Sequence, residues 1–136
     1  MVRKGVAKVK KLLLMLLLLI SAMGIVFASL KIYETSNQYK VSASKYEGLE
    51  EQYQNENRSL VHINEEYVGW IHIHGVDVDY PVVLGEDNDF YLTHNFYREE
   101  DFAGAIFMDY RQSGKKQLDK NTIIYGHNMK NRSMFG

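Results

Sequence analysis

The sequence predicts a mainly β domain carried behind N-terminal helices. Three observations predict it. Residues 12–30, from Leu12 to Leu30, hold no charge and are dominated by leucine. Residues 31–64 are polar, free of proline, and repeat an aromatic or apolar side chain at every seventh position. From Glu65 onward the texture changes to short runs of β-branched and aromatic residues, cut by glycine and by Asn/Asp clusters, as strands and turns require. These shifts divide the chain into a basic segment at 1–11, a membrane anchor at 12–30, a helical stalk at 31–64 and a β domain at 65–136.

The anchor follows from length and charge. Its nineteen residues, rising ~1.5 Å each in a helix, come close to the hydrocarbon thickness of a bilayer. Arg3, Lys4, Lys8, Lys10 and Lys11 precede it, Lys31 closes it, and all seventeen acidic residues follow it. The positive-inside rule then places the N-terminus in the cytoplasm and everything beyond Lys31 outside, with membrane lipid as a partner. A cleaved signal peptide is the rival, because Val26-Phe27-Ala28 has the form of a small-residue cleavage site. The apolar run exceeds the usual ~7–15-residue signal core, which favours a retained anchor. From Lys31 onward eleven basic residues face seventeen acidic ones, a net charge of −6. That balance argues against a nucleic-acid partner. With no cysteine, disulfides, thiolate metal sites and a cysteine nucleophile are excluded within these residues.

In the stalk, Ile32, Tyr39, Tyr46, Tyr53 and Leu60 recur at intervals of seven, near one side of a helix. The stripe is expected to pack on the following domain. A coiled-coil dimer is the alternative, but its second seam is mostly polar: Thr35, Ser42 and Glu56 around Leu49.

In the β domain, strands are expected over 67–74, 76–84, 104–110 and 122–125, with a short helix over 90–96. The first two runs are separated by Gly75, which predicts an antiparallel pair. Pro81 cannot donate to a ladder and is expected at an edge or a bulge. Asp87 or Asn88 is placed to cap the helix. Residues 97–102 and 111–120 read as polar loops. Four strands and one short helix make a small core with open edges, so the β domain is expected to be half of a larger structure, poorly cooperative and prone to aggregate.

Several side chains invite chemistry. His72 and His74 lie two apart on a strand and project to one face, but two ligands are too few for a metal site, and none is expected there. A solvated strand face is the default there, and His62 needs no special role. His94-Asn95 ends the expected helix, either as a cap or with a side chain turned into a cleft. His127 follows Gly126 just past a strand end, on a rigid support facing an open edge. Histidine suits acid–base work near neutrality. Covalent catalysis would also need a nucleophile and an oxyanion donor. Ser113 and Ser133 do not sit in a strand–turn–helix elbow, so chemistry alone leaves His127 an acid or base without a nucleophile.

Five blocks in order carry a resemblance: YVGWI at 67–71, VDYPVV at 78–83, DNDFYLTHNF at 87–96, GAIFMDY at 104–110 and NTIIYGHNM at 121–129. Together with the N-terminal anchor they resemble class B sortases, membrane-anchored cysteine transpeptidases of Gram-positive bacteria. The resemblance implies the N-terminal half of a sortase-type β-barrel. It implies that His127 is the catalytic histidine, that Asn95 lines the substrate groove, and that Tyr125 is a groove-wall residue. It implies as partners a secreted protein bearing a sorting motif of Asn-Pro-x-Thr type and an amine of the cell-wall precursor, with no metal or organic cofactor. The family's cysteine, in a Thr-Leu-x-Thr-Cys strand, and its arginine map to no residue here. The chain is therefore expected to be a truncated product, a sequence fragment or the first part of a split frame, without transpeptidase activity as written. A non-catalytic remnant or binding module is the alternative.

Overall fold

The computed structural model describes residues 2–55, 59–112 and 121–136. The side chains of residues 2–7, Glu56 of the second stalk seam, and residues 113–120 of the expected 111–120 loop, Ser113 among them, lie outside the described residues. Two compact units result, Met1–Gln38 and Tyr39–Gly136.

A helix, α1 (Val2–Asn55), supplies the first unit and enters the second. With no proline before position 81, nothing interrupts its backbone ladder. In the first unit the leucines from Leu12 to Leu19 are all more than half exposed. The helix is long and apolar enough to cross a membrane, with a mean hydropathy of 2.7 in its most apolar window. Ile32, the first member of the seven-residue series, is 71% exposed.

The second unit contains a four-stranded mixed sheet: β1 (Tyr67–Ile73), β2 (Val78–Val83), β3 (Ile106–Met108) and β4 (Ile124–Tyr125), in that order. β1 and β2 form the expected antiparallel hairpin, with Ile71 opposite Tyr80 and His72 opposite Asp79. β2 runs parallel to β3, and β3 antiparallel to β4. All strands are shorter than the sequence suggests. Val76 and Asp77 belong to the hairpin turn, and β3 and β4 pair through only two residues each. β2 is a central strand, so Pro81 is not on an edge strand. The ladder to β3 begins at Val82 and spares the missing Pro81 donor. The register shift of β1 lies between Tyr67 and Gly69, opposite Val82 and Val83.

Within this unit the α1 residues Tyr46 and Leu49 are buried, and Tyr39 and Tyr53 pack at the margin of the same core. Ser42 and Leu49, assigned to a possible dimer seam, are 6% and 0% exposed inside the unit. Within the second unit, from Tyr39 onward, the face that a coiled coil would use is thus covered by the fold. The stalk is not helical throughout: α1 ends at Asn55, and Leu60 is buried in a turn whose carbonyl accepts the Ile63 and Asn64 amides. Leu60 joins Val82, Val83, Tyr91, Phe96, Ile106 and Phe107 in the core.

Candidate active site

The site is built around α2 (Phe90–Thr93), a single turn. It is shorter than the expected 90–96; His94 is its extended C-cap and Asn95 lies beyond it. The N-cap is Asp89, not Asp87 or Asn88, and its own side chain makes no cap bond; Asp87, two residues earlier, supplies the acceptor instead, its carboxylate taking the Asp89 and Phe90 amides at 2.9 and 2.8 Å. Those two bonds hold the Asp87 carboxyl below its ordinary range. A helix this short has no internal partners for its last carbonyls. Each finds one elsewhere. Phe90 O faces His94 Nδ1 at 3.0 Å, Tyr91 O accepts the Ala105 amide and Thr93 O the Asp101 amide. Leu92 O lies 2.7 Å from His127 Nε2.

That last contact fixes the state of His127. A carbonyl only accepts, so Nε2 carries a hydrogen, and the neutral ring keeps its lone pair on Nδ1. Among the described residues Nδ1 has no hydrogen-bond partner. The ring is half-buried. Its backbone is held too, since His127 O accepts the Phe135 amide at 3.0 Å. Gly126 makes the approach possible: a Cβ there would fall 2.3 Å from Ile106 Cδ1 and 2.9 Å from the Phe135 ring. Gly104 does the same on the other side. Its φ is +61°, and a Cβ would lie 2.4 Å from Tyr91 O and 2.9 Å from Leu92 O.

Tyr125 and Asn95 are placed very differently. The Tyr125 hydroxyl donates to Asp109 Oδ2 at 3.0 Å, and its ring packs on Phe107 at 5.3 Å. The bond to Asp109 raises the phenol pKa. Asn95 is 1% exposed. Its side-chain oxygen accepts the Tyr97 amide at 2.9 Å and the Glu99 amide at 3.2 Å, organising a tight turn. Arg98, at the crest of that turn with φ +63°, pairs with Glu66 and lies over the Phe90 ring at 4.8 Å.

No protein-family model matches. Sortase B of Listeria monocytogenes is 53% identical over 78 residues, covering 57% of this chain and 31% of the relative. Sortase B of Staphylococcus aureus is 34% identical over 139 residues, covering 94% of this chain and 56% of the relative.

The chain is a sortase B homologue.

Its helix and mixed sheet match part of the sortase fold. A solved structure of the S. aureus sortase B–substrate complex superposes with a TM-score of 0.61 at 34% identity, over 72% of this chain and 50% of that one. The homologue therefore spans about half the length, or less, of the relatives it matches. It contains no cysteine in its 136 residues.

Two sets of residues in this sortase B homologue escape sequence reasoning. Asp109 is 1% exposed. Arg111 grips it through Nε at 2.8 Å and Nη2 at 2.7 Å, the Asn88 amide donates at 3.2 Å, and the Tyr125 hydroxyl completes the shell. The Arg111 contact, ahead of the others, holds the Asp109 carboxyl far below the usual carboxylate range. The one available signal is an acid closing the apolar run GAIFMDY. The second set surrounds Tyr91, which is fully buried; Asn64 donates to its hydroxyl at 2.9 Å and to Phe96 O at 2.8 Å, and the hydroxyl itself meets Glu66. Burial pushes the Tyr91 phenol up to about 12. On the hairpin, His72 and His74 do share a face, with ring nitrogens 3.2 Å apart, and His72 meets Asp79 at 3.2 Å. Among the described residues no group of three or more acidic or histidine side chains is arranged to hold a metal ion.

Proposed function

We propose that this chain contributes the anchor, the groove and the histidine of a class B sortase-type cysteine transpeptidase. The observation that carries it is His127, fixed on Leu92 O with no partner for Nδ1 among the described residues, in a chain homologous to sortase B. Nδ1 is then the atom that exchanges a proton with the leaving and accepting amines. The reaction passes an acyl group from a sorting motif to a cysteine thiolate and then to a cell-wall amine. The sulfur is not among these 136 residues, so the chain alone forms no thioester. Tyr125 serves as groove wall, and Asn95 shapes the groove as the hub of the turn it organises. The apolar part of α1 holds the protein in the cell membrane, N-terminus inside, with the second unit on the outer face.

Complementation tests this. The full chain in nanodiscs is incubated with a quenched-fluorescent Asn-Pro-x-Thr-type peptide, with and without a C-terminal portion of the S. aureus relative bearing its cysteine. Cleavage is expected only with both pieces, and is expected to vanish with His127→Ala. Cleavage that survives His127→Ala overturns the assignment. The second account is a membrane-anchored remnant or binding module. It is supported instead if the chain alone binds the peptide and no complement restores turnover.

A further inference from the structure

His72 and His74 have no part in the site around His127, yet the hairpin holds them in a specific arrangement. Residues two apart on a strand point the same way. His72 sits directly opposite Asp79 in the β1–β2 ladder, and its Nδ1 lies 3.2 Å from Asp79 Oδ2. A carboxylate only accepts, so His72 Nδ1 carries the hydrogen and the neutral ring keeps its lone pair on Nε2. Asp79 is held in turn. The Trp70 indole donates to its other oxygen, and Trp70 stacks on Tyr53 at 4.3 Å. His72 Nε2 then faces His74 Nδ1 at 3.2 Å. Both rings are exposed, so that meeting point is open to solvent.

Two lone pairs facing each other at that distance repel, so the contact calls for a proton or a metal ion between them. The spacing suits a metal. Two bonds of ~2.0–2.1 Å that meet near the tetrahedral angle set their nitrogens about 3.3 Å apart. The sequence offers two imidazoles and no more; the structure adds the carboxylate behind one of them. A carboxylate on the far nitrogen fixes the tautomer of a ligating histidine, orients its ring and raises its basicity. Asp79 is not itself a third ligand, since no group of three or more acidic or histidine side chains is arranged to hold an ion among the described residues. Two protein ligands are too few for a closed structural site. They make an open one, with water in the remaining positions.

We propose that His72 and His74 form a surface site for a divalent, imidazole-seeking transition-metal ion, with Asp79 fixing the tautomer of His72. Imidazole suits copper and zinc, whereas magnesium and calcium take oxygen ligands. At a given nitrogen site copper(II) binds more tightly than zinc(II). The ion displaces whatever proton the two nitrogens share, so binding releases it. This site is independent of the role assigned to His127 and stands or falls without it.

The test uses the untagged full chain in dodecyl maltoside micelles. Trp70 is the only tryptophan in the sequence and donates to Asp79, so its fluorescence reports on the site. Copper(II) is expected to quench it saturably, zinc(II) to compete at higher concentration, and calcium(II) or magnesium(II) to do neither. Electron paramagnetic resonance should show two imidazole nitrogens on the copper. His72→Ala and His74→Ala are each expected to abolish the saturable quenching. Asp79→Asn is expected to weaken binding by ~10-fold, because an amide NH2 beside His72 Nδ1 draws the ring hydrogen to Nε2 and closes that ligand. Both histidines are exposed, so their variants should keep the wild-type circular dichroism. Copper that binds equally well without His72 or His74, a wild-type spectrum with fewer than two nitrogens, calcium that quenches as copper does, or full binding by Asp79→Asn overturns the proposal. Should Asp79→Asn fail to fold, the two histidine variants and the nitrogen count still decide it.

Discussion

Asp79 and Asp109 make a useful pair. Each is an acid on or beside a strand, and each gathers several donors. Asp79 takes the Trp70 indole and His72, with its side chain 41% exposed. Asp109 takes Arg111, Asn88 and Tyr125, with its side chain 2% exposed. The strands around them differ in the opposite sense. The hairpin has six register pairs and a local turn, whereas β3 and β4 share two. Where backbone pairing is extensive, the polar cluster is an accessory at the surface. Where it is brief, a buried polar cluster ties the strands together, and the segment bearing His127 hangs from that second arrangement.

The most damaging change should fall on the β3–β4 side. Gly104→Ala must place a Cβ 2.4 Å from a backbone oxygen at φ +61°, so ~3 kcal/mol of stability should be lost. Displacement of Leu92 O should free His127 Nε2 as well. Chemical denaturation and the histidine NMR spectrum check the two effects together.

Asp109→Asn ranks next. Because the folded carboxyl is held below its ordinary range, its contribution is fully present above the unfolded value near ~3.9 and is lost as pH falls through the folded one. The wild-type chain should therefore lose stability below about pH 4. The variant should be less stable at pH 7 and show a flatter acid limb in denaturation curves taken from pH 7 to 2.

On the hairpin side the effects shrink. Tyr53 stacks on Trp70 at 4.3 Å and 11°; Tyr53→Ala should cost ~1 kcal/mol, read by thermal melting and by loss of the Trp70 fluorescence shift. His72→Ala removes an exposed partner of Asp79 and of His74 and should change stability by less than ~0.5 kcal/mol. A His72→Ala loss as large as that of Gly104→Ala would refute the contrast between the two regions.

Much of the fold was legible because it is local. The Gly75 break predicts the hairpin, the acidic turn at Asp87 supplies the acceptor for the first amides of α2, and the run of uncharged leucines marks the apolar helix. Strand ends were overrun at Val76 and at residues 104–105 because apolar residues continue there without a pairing partner. Pro81 misled by type: proline suggests an edge, but the parallel ladder begins one residue later. The stalk stripe pointed to the right face, yet Ser42 and Leu49 look like a weak dimer seam until the domain that covers them is seen.

His127 was found from a Gly-His pair at a strand end and from resemblance. Its tautomer was not, because the acceptor is the Leu92 carbonyl, 35 positions away in sequence. The hydrogen bonds of Asn95 and Tyr125 were invisible for the same reason. The sequence by itself determined which segments are apolar, where the turns fall and which family the chain resembles, since periodicity, glycine and motif order are local properties. Only the tertiary structure decided which carbonyl holds His127, that Asp109 is buried and shared by Arg111, Asn88 and Tyr125, and that Asp79 leaves His72 Nε2 facing His74. Those facts depend on groups brought together by packing, and no spacing along the chain encodes them.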